Sequence, residues 1–264
     1  VERQMISDVP VGAFLSGGLD SSTIAFFARK INPEMNFFTI NISGDEKYSF
    51  NDDLYYSKYI AKKLNLKLNI IDVDSKKLSN DISEMVYNLE EPIADPSALH
   101  VNYITKLAKD SGIKVMLSGT GGDDLLSGYN RHKAIKLYNY LDKIPFNINN
   151  WKNKISLLFK NHKIKKLINS YDSNDEKKFI NLFSWIDDGN LLGLFNENIR
   201  KDIINSIKKN PFSEYLNDNF PSDLTFFSQL LLLEQRFFLS EHNLIYNDKM
   251  SMKNSVEVRV PFLD

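Results

Sequence analysis

Short apolar runs alternate with amphipathic stretches over the first 120 residues. Residues 9–15 form a small apolar segment that reads as a buried strand. Behind it, apolar side chains at Ile24, Phe27, Ala28 and Ile31 keep the three- and four-residue spacing of one helix face. Residues 35–42, with Phe37, Phe38, Ile40 and Ile42, predict a second strand. Residues 52–66 predict a helix with a stripe through Leu54, Tyr55, Tyr59, Ile60, Lys63 and Leu64. A partly alternating strand follows over 67–73, then a helix over 78–89 that is broken by residues 90–96. The next helix spans 97–110, with Leu99, Tyr103, Ile104, Leu107 and Ala108 on one face. Gly112 ends it ahead of a buried strand at 113–117. Strands and helices alternating at this length call for an α/β fold: a parallel β-sheet with flanking helices. In such sheets ligands sit beyond the carboxyl ends of the strands.

The character changes after Tyr129. Residues 140–240 lack strand alternation and read as helices, with Ile155, Leu158 and Phe159, then Ile164, Leu167 and Ile168, keeping helical spacing. Asp172-Ser173-Asn174-Asp175 reads as a turn and a helix start. The alternation Glu257-Val258-Arg259 before Pro261 reads as a short edge segment or extended loop. The organisation expected is therefore an α/β core over 1–140 and a mainly helical region over 141–264, whose last segment, 247–264, packs back on the core.

Composition narrows the classes. Of 264 residues, 42% are hydrophobic and 25% charged, enough for a packed core, and the net charge of −1 argues against a nucleic-acid coat. Six lysines and no acid lie between Trp151 and Ser170. An RNA-binding reading of that run is weaker than a solvated helix face. Without cysteine the chain has no disulfide, thiolate zinc site or Cys nucleophile. The four histidines show no metal-ligand spacing and read mostly as surface or capping residues. The greasiest stretch, 226–239, is interrupted by Ser228, Gln229, Glu234, Gln235 and Arg236, so it reads as a buried helix rather than a membrane span. A cytoplasmic protein is expected, with no membrane and no nucleic-acid partner.

Two glycine-bearing turns carry the chemistry. In Leu15-Ser16-Gly17-Gly18-Leu19-Asp20-Ser21-Ser22 the glycines sit between a strand and a helix. Glycine lets a ligand approach the backbone, and the first helical N–H groups point outward at the positive end of the helix dipole. Serine hydroxyls add donors, and Asp20 can hold a divalent metal. Taken alone, these residues suit a capped helix as well as a phosphate site. After the strand at 113–117 comes Ser118-Gly119-Thr120-Gly121-Gly122-Asp123-Asp124, a second candidate anion cradle. Alone it favours a loop needing positive φ; paired with the first turn on one sheet edge, it favours function.

The first turn resembles the PP-loop of ATP pyrophosphatases, which split ATP between the α and β phosphates. With residues 7–15 ahead of it, it resembles the synthetase domain of glutamine-hydrolysing asparagine synthetases. The second turn resembles that family's Ser-Gly-Glu-Gly-x-Asp-Glu-Leu-x-Gly-Gly-Tyr. Residues 247–264 resemble its Asp-Arg-Met-Ser-Met-Ala-x-Ser-x-Glu-Val-Arg-x-Pro-Phe-Leu-Asp. The resemblance implies an adenine nucleotide alpha hydrolase-like fold. It implies ATP contacts at Leu15, Ser16, Gly17, Gly18, Asp20, Ser21, Ser22, Ile40, Ser118 and Gly119, with Mg2+ held by Asp20 and Asp123. Asp20 and Asp123, with Glu257 and Arg259, are the implied catalytic set, and Asp248 and Ser251 would line the site. The implied reaction adenylates a carboxylate, aspartate by resemblance, releases pyrophosphate, and aminates the adenylate with ammonia. That ammonia would come from a glutaminase domain outside this chain. The family's lysine beyond Pro-Phe-Leu-Asp is likewise outside it, so the chain reads as part of a longer protein, and Lys249 is not assigned that lysine's role. Oligomeric state is left open, a homodimer being one arrangement.

One departure bears on the substrate. The family's glutamate within Ser-Gly-Glu-Gly is Thr120 here, and threonine cannot act as a carboxylate base. In related β-lactam-forming enzymes that place is a tyrosine. A relative acting on another carboxylate or closing a lactam, and a nucleotide-binding module without synthetase activity, are the alternatives.

Overall fold

The computed structural model describes residues 1–43, 50–91, 93–141, 168, 171–172, 174–184, 186, 188–207, 211–221 and 223–264. The lysine run and most of the helical stripe expected over 155–168 lie outside the described residues. The chain forms two compact units, Val1–Leu126 with Gln235–Asp264, and Ser127–Glu234.

The first unit is built on five parallel strands: β1 (Val11–Phe14), β2 (Asn36–Ser43), β3 (Lys67–Asp74), β4 (Val115–Leu117) and β5 (Glu257–Arg259), in the order β3-β2-β1-β4-β5. Helices α1 (Leu19–Ile31), α2 (Phe50–Leu64), α3 (Ser75–Leu89) and α4 (Ser97–Asp110) connect the first four strands, as the alternation predicts. From β1 the chain winds outward through β2 and β3, then returns to place β4 on the other flank of β1. That reversal puts a topological switch point between β1 and β4, where connections leave in opposite directions and open a crevice.

Two cores cover the two faces of the sheet. Ala13, Leu15 and Phe37 pack with Ile24, Ala25 and Ala28 of α1 and Ala61 of α2. Phe38, Met116 and Val256 pack with Ile104 and Ala108 of α4, next to a cluster joining α3, α4 and Met250. The buried face of α1 differs from the expected one. Phe27 and Ile31 are about half exposed, and the small Ala25 takes the inward place. Close approach of helix to sheet favours alanine, and Phe27 instead stands edge-on to Phe26 with Lys30 over the rings. On α2, similarly, Tyr55 and Tyr59 are exposed while Ser57 and Ala61 face inward.

Among its described residues the second unit is helical: α5 (Gly122–Leu126) closes the first unit, and α6 (Asn130–Leu141) begins the second. It continues through α7 (Asp175–Phe183), α8 (Asp188–Gly193), α9 (Glu197–Ile207), α10 (Pro211–Asn219) and α11 (Phe226–Leu233). Asn174 caps α7 by accepting from the Lys177 N–H at 3.1 Å, matching the expected helix start. Glu234 is fully buried and takes the Arg131 guanidinium and, at 3.0 Å, His132 Nε2. His132 is thus an interior histidine, an exception to the surface or capping role expected of most of the four. Beyond α11 the backbone takes a π-helical course over Glu234–Asn243 and returns to α-geometry in α12 (Leu244–Lys253). The expected uninterrupted buried helix is therefore two helical forms in sequence. π-Helical turns are rare and frequently found at functional sites.

Candidate active site

The first turn is held from behind. Gly17 has φ +79°, and a Cβ there would lie 2.5 Å from Ser57 N and 2.6 Å from Tyr56, so α2 presses against it. Ser57 Oγ donates toward Leu15 O at 2.8 Å and Asp53 O at 2.7 Å, while Leu15 N–H continues the sheet to Phe38 O at 2.9 Å. Inside the turn, Ser21 Oγ lies 3.0 Å from Ser16 Oγ and accepts from Ser16 N at 3.2 Å. Gly18 is the N-cap of α1 and supplies no side-chain cap, leaving the first amides of the helix open. Ser22 Oγ is buried and has no hydrogen-bond partner among the described residues.

The second turn follows β4 and lies against the first. A Cβ on Gly119 would stand 3.0 Å from Ser21 N and 3.1 Å from Asp20 Cβ. A Cβ on Gly122 would stand 2.4 Å from Asp20 Cγ. Gly121, at φ +94°, is backed by Leu263, whose Cδ2 a Cβ there would approach to 2.7 Å. The two glycine turns therefore meet at the Asp20 carboxylate, with backbone alone between them. Burial holds the Asp20 carboxyl above its ordinary range, and the charge of Asp123 adds to that rise. A pair of hard carboxylate donors whose charges oppose each other suits a cation such as Mg2+, which keeps water and phosphate oxygens as its other ligands. The donor set fits. Among the described residues no cluster of three or more His, Cys, Asp or Glu forms a closed metal cage, a set that a phosphate-bridging ion does not need.

The adjacent acids of the second turn differ. Asp123 is exposed, whereas Asp124 is buried and its Oδ1 accepts from Asn243 Nδ2 at 3.3 Å. Thr120 Oγ1 lies 2.8 Å from Ser118 Oγ, and Asn247 Nδ2 donates to Thr120 Oγ1 at 3.4 Å. Sequence reasoning singled out neither Asn243 nor Asn247. Amides on a helix look like ordinary surface residues until the backbone shows them buried; Asn247 is 5% exposed.

The carboxyl-terminal motif returns to this edge. β5 pairs with β4, in the register Leu117 with Arg259, and Ser118 N–H donates to Arg259 O at 2.8 Å. The Arg259 side chain turns toward the start of the chain, donating from Nη1 to Gln4 O at 2.9 Å and Ile6 O at 2.8 Å, and from Nε to Glu257 Oε1 at 2.7 Å. Glu257 is exposed, Asp248 is exposed, and Ser251 is fully buried with its hydroxyl on Asp248 O at 3.1 Å. Lys249 pairs with Glu90. Ile40 is partly buried in β2, between Phe14 and Ile71 in the sheet core.

A parallel sheet flanked by helices, with two glycine turns meeting at its switch point, defines an α/β protein. The chain belongs to the asparagine synthase family, which matches residues 1–264. It is 28% identical over 269 aligned residues to asparagine synthetase [glutamine-hydrolyzing] 1 of Bacillus subtilis (strain 168), covering all of this chain and 40% of that protein. It is 26% identical over 270 residues to asparagine synthetase [glutamine-hydrolyzing] 2 of the same organism, covering 31% of it. The chain thus spans well under half the length of these relatives. Among solved structures, an NH3-dependent NAD synthetase from Campylobacter jejuni shows a slight likeness, with a TM-score of 0.36 at 14% identity over 85% of this chain and 93% of that one. No helix among the described residues is long and apolar enough to cross a membrane.

Proposed function

We propose that this chain is the synthetase part of an ATP-dependent amide-forming ligase. ATP lies along the two glycine turns, with its phosphates on the open amides of α1 and the backbone of residues 119–122. Mg2+ bound by Asp20 and Asp123 would neutralise phosphate charge during pyrophosphate release. A carboxylate oxygen of the substrate, aspartate in the reading favoured here, attacks the α-phosphorus. The bond from that phosphorus to the bridging oxygen breaks, pyrophosphate leaves, and an acyl adenylate remains. Ammonia, supplied by a glutaminase domain outside this chain, attacks the acyl carbon; AMP departs, a proton is lost, and the amide forms. The chain contributes positioning and charge stabilisation, which dominate such phosphorus chemistry.

The observation that carries this reading is the meeting of Gly119 and Gly122 with Asp20, since it brings the two turns to one carboxylate. Family membership and the switch-point location support it. The test is ATP–pyrophosphate exchange by the full-length protein with a panel of carboxylates. Exchange stimulated by aspartate is expected; a blank across the whole panel would sink the assignment.

Thr120 favours a second reading, in which another carboxylate is the acceptor. With no carboxylate at that place, Thr120 puts a hydroxyl beside Ser118, with the Asn247 amide behind it. If Thr120→Glu creates aspartate-dependent exchange that the wild-type protein lacks, this second reading is the correct one.

A further inference from the structure

Asn247 is buried at the start of α12, and no part of the adenylation scheme uses it. Its carboxamide nitrogen donates to Asn243 O at 2.7 Å. A main-chain carbonyl can only accept, so this contact fixes which end of the amide is nitrogen. Its other N–H reaches Thr120 Oγ1 at 3.4 Å. Thr120 Oγ1 accepts from Asn247, which leaves its own hydrogen free to turn to Ser118 Oγ, 2.8 Å away. Ser118 Oγ also accepts from Thr120 N–H at 3.2 Å. With the Thr120 hydrogen on it as well, both acceptor positions of the serine would be filled and its O–H left to donate.

We propose that Asn247 is a positioning residue. It heads a one-way hydroxyl relay, Asn247 to Thr120 to Ser118, that presents the Ser118 hydroxyl as a donor to the bound nucleotide. This rests on the reading of the turns as an ATP site. It also gives Thr120 a purpose where the resemblance has glutamate: a carboxylate only accepts, and would draw the Ser118 proton away from the ligand. Threonine passes the donor sense on, provided an amide stands behind it.

Asn247→Asp reverses the head of the relay at nearly constant shape. The carboxylate takes the Thr120 hydrogen, Thr120 takes that of Ser118, and the donor to the ligand is lost. Equilibrium binding of MgATP to the full-length protein is expected to weaken about tenfold, the loss of one good hydrogen bond, with KM for ATP rising and KM for the carboxylate unmoved. Thr120→Val cuts the relay in the middle. On that background the Asn247→Asp change should add less than about twofold, a coupling that general loosening of α12 would not produce. Should Asn247→Asp fail to fold, Asn247→Leu removes the donor without burying charge, and a loss of a few-fold is expected. Wild-type affinity in these Asn247 variants, or the same penalty with and without Thr120, would overturn the relay alone. Failure of the wild-type protein to bind MgATP would overturn the nucleotide site and the relay together.

Discussion

At Gly122 the missing side chain is a steric requirement. A methyl group would sit 2.4 Å from Asp20 Cγ, so the Asp20 carboxylate would have to swing away from its place between the turns. Gly122→Ala is expected to cost about 1–3 kcal/mol of stability and to weaken nucleotide binding by more than about tenfold, read by urea unfolding and MgATP titration. Gly112 is the control: it has φ +79°, but open space around its Cβ position. Gly112→Ala pays only the backbone term, about 1–2 kcal/mol, with nucleotide affinity unchanged. Asp20 adds a pH signature. Its raised carboxyl pKa means the folded chain holds that proton more tightly than the unfolded chain does. Its contribution to stability is therefore present below the ordinary value of 3.8 and is lost as pH rises through the folded value. Asp20→Asn should stabilise the ligand-free protein slightly at neutral pH, by well under ~1 kcal/mol for a partly exposed, screened pair. The gain should vanish as pH falls toward the unfolded value, in melting curves recorded across pH. A neutral-pH melting temperature lowered by Asn would contradict this.

Among elements, α2 is the brace for the first turn. Ser57, fully buried, joins α2 to the carbonyl of Leu15, the residue that enters the turn. Ser57→Ala leaves that oxygen short of a donor and should cost about 1–2 kcal/mol in chemical denaturation, with a larger proportional loss of ATP affinity than an equally destabilising change on α9 would bring. Ser57 shows why some of the site was hidden from the sequence. A serine within a stripe of tyrosines and lysines carries no periodic signal, and its importance comes from the 42-residue separation that the fold closes. Most elements were legible, because β1, β2 and β4 are short apolar runs and the helices between the strands keep helical spacing. The 97–110 helix matches its expected span at both ends, and the edge segment at Glu257 became β5. The inward face of α1 was misjudged, because hydrophobicity ranks Phe27 above Ala25 while close helix–sheet packing reverses the order. The π-helical course over Glu234–Asn243 was unreadable for a related reason: spacing shows where apolar residues recur, and one widened turn shifts that phase without altering composition.

Across the whole chain, the three motif-bearing segments are far apart in sequence and share one sheet edge. Arg259 contributes there in two ways: its carbonyl accepts from Ser118 N–H, and its guanidinium ties down Gln4 and Ile6. Arg259→Ala should lower stability by about 1–3 kcal/mol through the unpaired carbonyls. If the side chain acts only as this anchor, kcat measured well below the melting temperature stays near wild type. A collapse of kcat at intact stability would place the guanidinium in the chemistry.

The position of β5 also has a bearing on biosynthesis. β4 gains its outer partner only after the entire excursion from Ser127 to Glu234 has been made. While the ribosome works through that stretch, Val115–Leu117 offers a bare hydrophobic ribbon to any other nascent chain. Translation halted short of Glu257 should therefore yield chaperone-bound or insoluble product, and rescue should come from supplying the final segment in trans.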